Sequence, residues 1–187
     1  MFSQKRHTRK FAKSATIAAA SSLLFVVAAQ AEVAGSPMML TAYTNGAGGE
    51  SLTHGKYDMA LVELKADRST TSTAYSAKIN NLCVAYAIKR QLTEAKSACD
   101  AAVKAAKYDR LSSQRYAPGS VRENSYVAIA YTNRAIVHML SKDTESAKAD
   151  LERAKSLAPT ADFVSRNLAA VHNSRSTIAQ LDVAPSR

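Results

Sequence analysis

The sequence predicts an all-α protein made of short helical hairpins followed by a covering helix. Three observations support this fold class: apolar residues recur at helical spacing, two stretches share small residues at fixed offsets, and a proline closes the second stretch. The two stretches run from Asn81 to Ala106 and from Asn133 to Pro159. Their frame residues are Leu82, Tyr86, Ala95 and Ala102 in the first, and Tyr131, Ala135, Ala147, Leu151, Ala154 and Pro159 in the second.

Residues 1–31 have the three parts of an export signal, in order. A start rich in Lys and Arg precedes an apolar run from Ala15 to Ala29, and Ala29-Gln30-Ala31 provides a small-x-small cleavage site. The alternative is a retained membrane anchor, but the run is about 15 residues, whereas a spanning helix needs roughly 20. We therefore expect a periplasmic or secreted protein without a stable membrane anchor after cleavage.

The positive charge of the chain is concentrated in this first segment. The whole sequence has 25 Lys and Arg against 15 Asp and Glu, a net charge of +10. Residues 1–31 hold five of the basic residues and none of the acidic ones, so the remainder carries 20 minus 15, or +5. Because so much of the basicity belongs to the segment expected to be removed, the sequence predicts no nucleic-acid partner.

The rest of the chain divides into a leader, a helical domain and a tail. We predict a flexible leader over 32–54, because Pro37 and the run from Asn45 to Gly49 interrupt any periodicity. The helical domain covers 55–180 and has hairpins at about 73–108 and 121–157, separated by an insert at 109–119. Ser120 to Glu123 reads as a capping box that starts the second hairpin. A last helix covers about 161–180, and 181–187 form a disordered tail.

The shared frame resembles the tetratricopeptide repeat, and the chain is identified as an exported bacterial member of that family. The resemblance implies a short α-solenoid with about two full repeats, a leading half repeat and a C-terminal capping helix. The family repeats every 34 residues, whereas Ala95 and Ala147 are 147 minus 95, or 52, residues apart. About 18 residues are therefore inserted. The sequence departs from the family where Arg134 replaces a leucine and Lys107 replaces the closing proline.

Two cysteines fall at facing positions of the first predicted hairpin. Helices joined by a short turn pack antiparallel, so residues equally distant from the turn lie opposite each other, and this places Cys83 against Cys99. An exported protein meets an oxidising compartment, in which such a pair forms a disulfide if the geometry allows. The alternative is a pair of buried thiols that pack as small apolar residues.

The resemblance also implies a binding groove lined by the first helices of successive hairpins. Asn81 and Asn133 occupy equivalent positions there, where they either bond the backbone of a ligand or bond neighbouring helix ends. Lys78, Arg134 and Arg166 are candidates for binding a ligand carboxylate. The predicted groove residues are Asn80, Asn81, Val84, Ile129, Thr132, Asn133, Ile136, Arg134 and Arg166.

The sequence contains no pattern that predicts catalysis, a cofactor or a metal. Five residues separate Gly49 from Gly55, and Tyr57 follows Lys56, so the chain lacks the spacing and the Ser or Thr of a phosphate-binding loop. His138 and His172 fall on different predicted helices without zinc-ligand spacing. We expect a scaffold that is not an enzyme and that binds a protein or peptide partner through its groove. The alternatives are a structural subunit that docks through its repeat ends and, less favoured, an enzyme with an unrecognised site.

Overall fold

The structure, a computed structural model, describes residues 38–69, 71–114, 121–172 and 181–186. Within these ranges the protein is mostly helical, as predicted for an all-α chain, but it also contains a small sheet that was not predicted. The predicted export segment, residues 1–31, lies outside the described residues. The elements in chain order are β1 (Met38–Ala42), α1 (Gly49–Thr53), α2 (Tyr57–Ala66), α3 (Ser72–Ile88), α4 (Leu92–Gln114), α5 (Val121–Leu140), α6 (Thr144–Leu157), α7 (Asp162–His172) and β2 (Leu181–Pro185).

Helices α3 and α4 form one hairpin and α5 and α6 form a second, with α4 packed on α5 between them. Both hairpins close with the same turn. Arg90 and Lys142 adopt left-handed conformations with φ of 57° and 63°. The next residue donates its N–H five residues back in each case, from Gln91 to Tyr86 at 3.0 Å and from Asp143 to His138 at 2.8 Å. The two turns are thus equivalent and lie 52 residues apart, at the offset that separates Ala95 from Ala147.

The starts of α3 and α6 are capped by side chains that satisfy otherwise unpaired backbone donors. The Thr71 hydroxyl accepts from the N–H of Ala74 at the start of α3. At the start of α6 the carboxylate of Asp143 accepts from the N–H of Ser146 at 3.1 Å. Interaction with the Ser146 side chain, together with this bond from its N–H, holds the pKa of Asp143 below its ordinary value.

The segment between the hairpins differs from the predicted insert. Helix α4 continues to Gln114, so the first half of 109–119 is helical. No glycine or proline precedes Pro118 in this segment, and nothing in its sequence stops the helix earlier. Residues 115–120, which include the first residue of the predicted capping box, lie outside the described residues, as do 173–180 of the predicted last helix.

The disulfide between Cys83 and Cys99 is confirmed. It joins α3 to α4 across a Cα–Cα distance of 4.7 Å, and both side chains are fully buried. The prediction succeeded because antiparallel packing about a short turn determines which residues of a hairpin face each other.

The flexible leader is a wrong prediction for the part of it that the structure describes. Residues 38–42 form β1, and the side chains of Met38, Leu40 and Ala42 are 2%, 0% and 0% exposed. The glycine run that suggested flexibility builds a tight turn into α1 instead. Gly48 has φ of 68°, and the N–H of Gly49 donates to the carbonyl oxygen of Gly46 at 3.0 Å.

The disordered tail is also wrong for residues 181–186. Strand β2 pairs with β1 in parallel, in a register that runs from Met38 opposite Leu181 to Ala42 opposite Pro185. Leu181 and Val183 are partly buried and pack against the same core as β1. A pairing between residues this far apart in the sequence has no local signature.

We expect the disulfide to contribute about 3 kcal/mol to the free energy of unfolding, because it closes a loop of 16 residues. A chain with Cys83→Ala and Cys99→Ala should unfold at lower denaturant concentration than the unmodified chain. Reductant should destabilise the unmodified chain and leave the double variant unchanged. Equal sensitivity of the two proteins to reductant would contradict the assignment.

Gly49→Ala should destabilise the protein more than Gly55→Ala. A Cβ at Gly49 would overlap the carbonyl group of Tyr43, with the carbonyl carbon 2.8 Å away, so backbone would have to move. A Cβ at Gly55 meets only the Tyr57 hydroxyl at 3.9 Å, and this variant is strained only by its φ of 72°. We expect losses of about 3 kcal/mol and about 1 kcal/mol in denaturant unfolding. The reverse order would show that this turn is not closely packed.

Candidate strand-binding groove

Three asparagine side chains hold β1 and Tyr43, the residue after it, along one backbone edge. Asn81, on α3, accepts from the N–H of Tyr43 at 2.8 Å and donates to its carbonyl oxygen at 2.9 Å. Asn133, on α5, makes the same pair of bonds with Thr41 at 2.9 and 2.8 Å. Asn167, on α7, makes it with Met39, both at 2.8 Å. We call Asn81, Asn133 and Asn167 the amide ladder.

The amide ladder fits an extended backbone for a geometric reason. Alternate residues of a strand direct their N–H and C=O groups to the same edge, and an asparagine amide offers one donor and one acceptor to each such pair. Asn80 supports the arrangement, since it accepts from Asn133 at 3.0 Å and donates to the carbonyl oxygen of Thr41 at 3.0 Å. All four asparagines are 1% exposed or less. The ladder therefore binds the backbone of the strand, and these bonds do not depend on which side chains the strand carries.

This geometry decides between the two roles that the sequence left open for Asn81 and Asn133. Both bond an extended backbone, and Asn81 also donates to the carbonyl oxygen of Ala47, in the turn before α1, at 3.0 Å. The occupant, however, is the chain's own β1, so the expectation of a groove open to a partner is wrong for this part of the surface. The occupying strand comes from the predicted leader, 32–54, which the sequence analysis placed outside the groove.

The apolar groove residues belong to the core. Val84 and Ile136 are 0% and 1% exposed and lie in the core cluster that contains β1. Ile129 is 4% exposed, and the buried hydroxyl of Thr132 donates to the carbonyl oxygen of Ala128 within its own helix at 2.8 Å. Val84 and Ile136 thus pack in the same core as the strand, and all four side chains are too deeply buried to meet a partner.

Arg134, a candidate for binding a ligand carboxylate, bonds carboxylates of this chain instead. Its guanidinium donates to both oxygens of Asp150 at 2.7 and 2.9 Å, and to Asp100 at 2.9 Å. The bonds to Asp150 raise the pKa of Arg134 above its ordinary value. Because Asp150 is nearly inaccessible and Asp100 lies on α4, the arginine ties α4, α5 and α6 together.

The two remaining charged candidates, Arg166 and Lys78, also bond residues of this chain. Arg166 pairs with Asp162 one turn earlier on α7, at 2.7 Å, and both side chains are exposed. Lys78 donates to the carbonyl oxygen of Asp67 at 2.6 Å. Among the described residues, neither side chain lies in the amide ladder.

Histidines and acidic residues do not assemble into a metal site within the described ranges. No group of three or more metal-binding side chains lies together there. His138 lies 3.3 Å from Asp143 and 3.7 Å from Asp150, beside the Arg134 network. None of the described helices combines the length and the apolar character that crossing a bilayer requires.

The second backbone edge of β1 faces β2. The carbonyl oxygen of Ala42 accepts from the N–H of Ser186 at 2.8 Å, and the parallel register continues back to Met38. Strand β2 also contacts α1. Its Leu181, Val183 and Ala184 are only partly buried and Pro185 is exposed, whereas β1 is almost entirely enclosed. The sheet therefore has one rigidly held strand and one peripheral strand.

The sequence analysis missed Asn167, although a signal was present. Asn167 follows Asn133 by 167 minus 133, or 34, residues, the period of the repeat to which the frame was compared. The predicted last helix, 161–180, includes Asn167, but the frame of shared residues ends at Pro159. The strands were missed because a five-residue buried strand has too few residues to establish a period of two.

Loss of one amide from the ladder should increase backbone hydrogen exchange at one residue between Met39 and Tyr43. Asn167→Ala should act mainly at Met39, where it removes the partners of the N–H and the C=O. Asn133→Ala should act at Thr41, since it removes the partners of the Thr41 N–H and of the Asn80 Oδ1. Asn81→Ala should act at Tyr43, since it removes the partners of the Tyr43 N–H and of the Ala47 C=O. Each group left unpaired costs about 1 to 3 kcal/mol, so each variant should lose several kcal/mol of stability. Hydrogen exchange resolved by residue, with denaturant unfolding, measures both effects.

Asn124→Ala is the matched control for these variants. Asn124 lies on α5 and bonds Arg110 but not β1, so we expect a change of about 0.5 kcal/mol or less. If Asn167→Ala leaves exchange at Met39 unchanged, the ladder does not hold the strand in solution.

Comparison of the chain with family models, with curated proteins and with solved structures finds no match. The function has to be inferred from the amide ladder, the second edge of β1 and the chemistry of the residues around them. These features favour binding of main chain over chemical transformation of a substrate.

Proposed function

We propose that this chain is a binding module for an extended protein segment, built on a tetratricopeptide-like array of helical hairpins. The observation that carries the proposal is that the two backbone edges of β1 have different partners. One edge of the strand is fixed to the helices by the amide ladder, and the opposite edge bonds a peripheral strand. A strand held in this way is a template to which another strand can be added.

The template is well suited to strand addition because it is already ordered. Leu40 and Ala42 are fully buried, and the ladder bonds lie on the edge away from the incoming strand. A partner segment therefore orders only itself when it binds, which lowers the entropic cost of association. Main-chain bonds supply affinity in this mode of recognition, and alternate side chains supply selectivity.

The present occupant indicates which segment the edge accepts. Strand β2 runs parallel to β1 and places Leu181 and Val183 against the core. We infer that a partner segment carries aliphatic side chains at two alternate positions. A partner competes with β2, which is partly exposed, and leaves β1 in place.

We also propose that residues 1–31 direct export and that the protein works in the periplasm or outside the cell. The charge and apolar pattern of that segment supports this location, and so does the disulfide, since disulfides persist mainly in oxidising compartments.

A labelled peptide with the sequence Leu-Asp-Val-Ala-Pro-Ser, taken from residues 181–186, tests the function. The receptor is the full chain with Leu181→Asn and Val183→Asn, which weakens its own β2. We expect this variant to bind the peptide at least about tenfold more tightly than the unmodified chain, because a tethered β2 competes at a high effective concentration. Fluorescence anisotropy measures the affinity, and circular dichroism checks that the helices are retained.

Two controls separate strand addition from nonspecific adhesion. A peptide in which Leu and Val are replaced by Asn should not bind. A receptor with Met59→Asn and Val62→Asn, which changes two exposed apolar residues on α2, should behave like the unmodified chain. If the β2-weakened chain binds neither peptide, or binds both equally, the proposed function is wrong.

A further inference from the structure

A cavity of about 820 Å³ lies between α3, α4 and α5, beside the end of β1. Its volume is within the range typical of small-molecule sites. Much of its wall is alanine, contributed by all three helices, so the space is left by short side chains and is not a gap between loops. The alanines are Ala74, Ala77, Ala102, Ala106 and Ala130.

Two tyrosines form an aromatic side of the cavity. The rings of Tyr43 and Tyr126 meet edge to face with centroids 5.3 Å apart, and the Tyr43 hydroxyl donates to the carbonyl oxygen of Tyr126 at 3.4 Å. Burial raises the pKa of the Tyr43 hydroxyl above its ordinary value, and the charges of Tyr126 and Asp109 raise it further. This side therefore stays uncharged at neutral pH and suits an apolar or aromatic group.

Two opposite charges, Asp109 and Arg110, line the same cavity from consecutive positions of α4. Asp109 accepts hydrogen bonds from the hydroxyls of Ser72 and Ser76, which hold its carboxylate in place and leave further lone pairs available. The two side chains do not pair with each other in the structure. A ligand can therefore meet each charge separately.

Arg110 is the less satisfied of the two. Its Nε is buried and has no hydrogen-bond partner among the described residues, and its Nη1 reaches Asn124 only at 3.4 Å. It makes no ion pair with any residue in the described ranges. The outer guanidinium nitrogens make only this weak bond to Asn124 among the described residues, and their remaining donors are best matched by an anionic oxygen.

We propose that this cavity binds a small zwitterion of the amino-acid type, with an apolar or aromatic side chain. The ligand carboxylate bonds the guanidinium of Arg110, its ammonium group bonds Asp109, and its side chain packs on the alanines and against Tyr43 and Tyr126. A simple organic anion satisfies Arg110 but meets repulsion from Asp109. A simple amine satisfies Asp109 but leaves Arg110 unpaired. Carrying both charges on one ligand removes both penalties.

Three probes with the same phenyl group test this assignment on the full chain: L-phenylalanine, 3-phenylpropanoate and phenethylamine. We expect L-phenylalanine to bind most tightly, because each of the other probes lacks one charged group. Arg110→Gln should weaken the binding of L-phenylalanine by about tenfold and leave the binding of phenethylamine little changed. Asp109→Asn should reduce the difference in binding affinity between L-phenylalanine and 3-phenylpropanoate. Titration calorimetry gives the affinities.

Lys104→Gln is the matched control, because Lys104 is an exposed cation on α4 that does not line the cavity. It should bind L-phenylalanine as the unmodified chain does, and thermal unfolding should show that all variants are folded. Three results would each overturn the assignment. No probe binds at about 10 mM, a concentration that would detect a binding free energy of only about 3 kcal/mol; all three probes bind equally; or Arg110→Gln leaves L-phenylalanine binding unchanged.

Discussion

The amide ladder is the interaction on which the rest of this structure depends. A strand placed among helices has backbone groups that no helix backbone can satisfy, and burying them unpaired would cost several kcal/mol. Asn81, Asn133 and Asn167 satisfy one edge of β1, which permits Leu40 and Ala42 to enter the core. The same bonds join three helices through a segment that belongs to none of them. The strand thus acts as a common element that aligns α3, α5 and α7.

The repeated frame and the ladder have one geometric origin. The two hairpin turns close with equivalent hydrogen bonds, and Asn81 and Asn133 stand nine residues before Arg90 and Lys142 respectively. When two hairpins have the same turn, residues at the same distance from that turn occupy equivalent positions on their helices. Successive asparagines therefore reach alternate residues of one straight strand, whose own rise per residue sets the spacing of the bonds.

The sequence allowed prediction of features that depend on neighbouring elements. The Cys83–Cys99 bond followed from antiparallel packing. The equivalent positions of Asn81 and Asn133 were also predicted, but the sequence left open whether they bond an extended backbone or helix ends. Features that depend on distant segments were missed. Pairing of Met38 with Leu181 leaves no periodic trace, and the glycine run around Gly48 looks the same whether it forms a tight turn or a linker. Arg134 was misassigned because its partners, Asp100 and Asp150, come from two other helices.

The position of β1 at the beginning of the described chain has a consequence for the order of folding. Met39 is made early, but its partner Asn167 lies 128 residues later, and β2 follows still later. Contacts of such long sequence separation form slowly, because the chain entropy of closing the loop is lost before the contacts are gained. We therefore expect the hairpins to form first by local contacts. Insertion of β1 and addition of β2 then follow, so β1 stays unpaired until Asn167 and residues 181–185 have been synthesised.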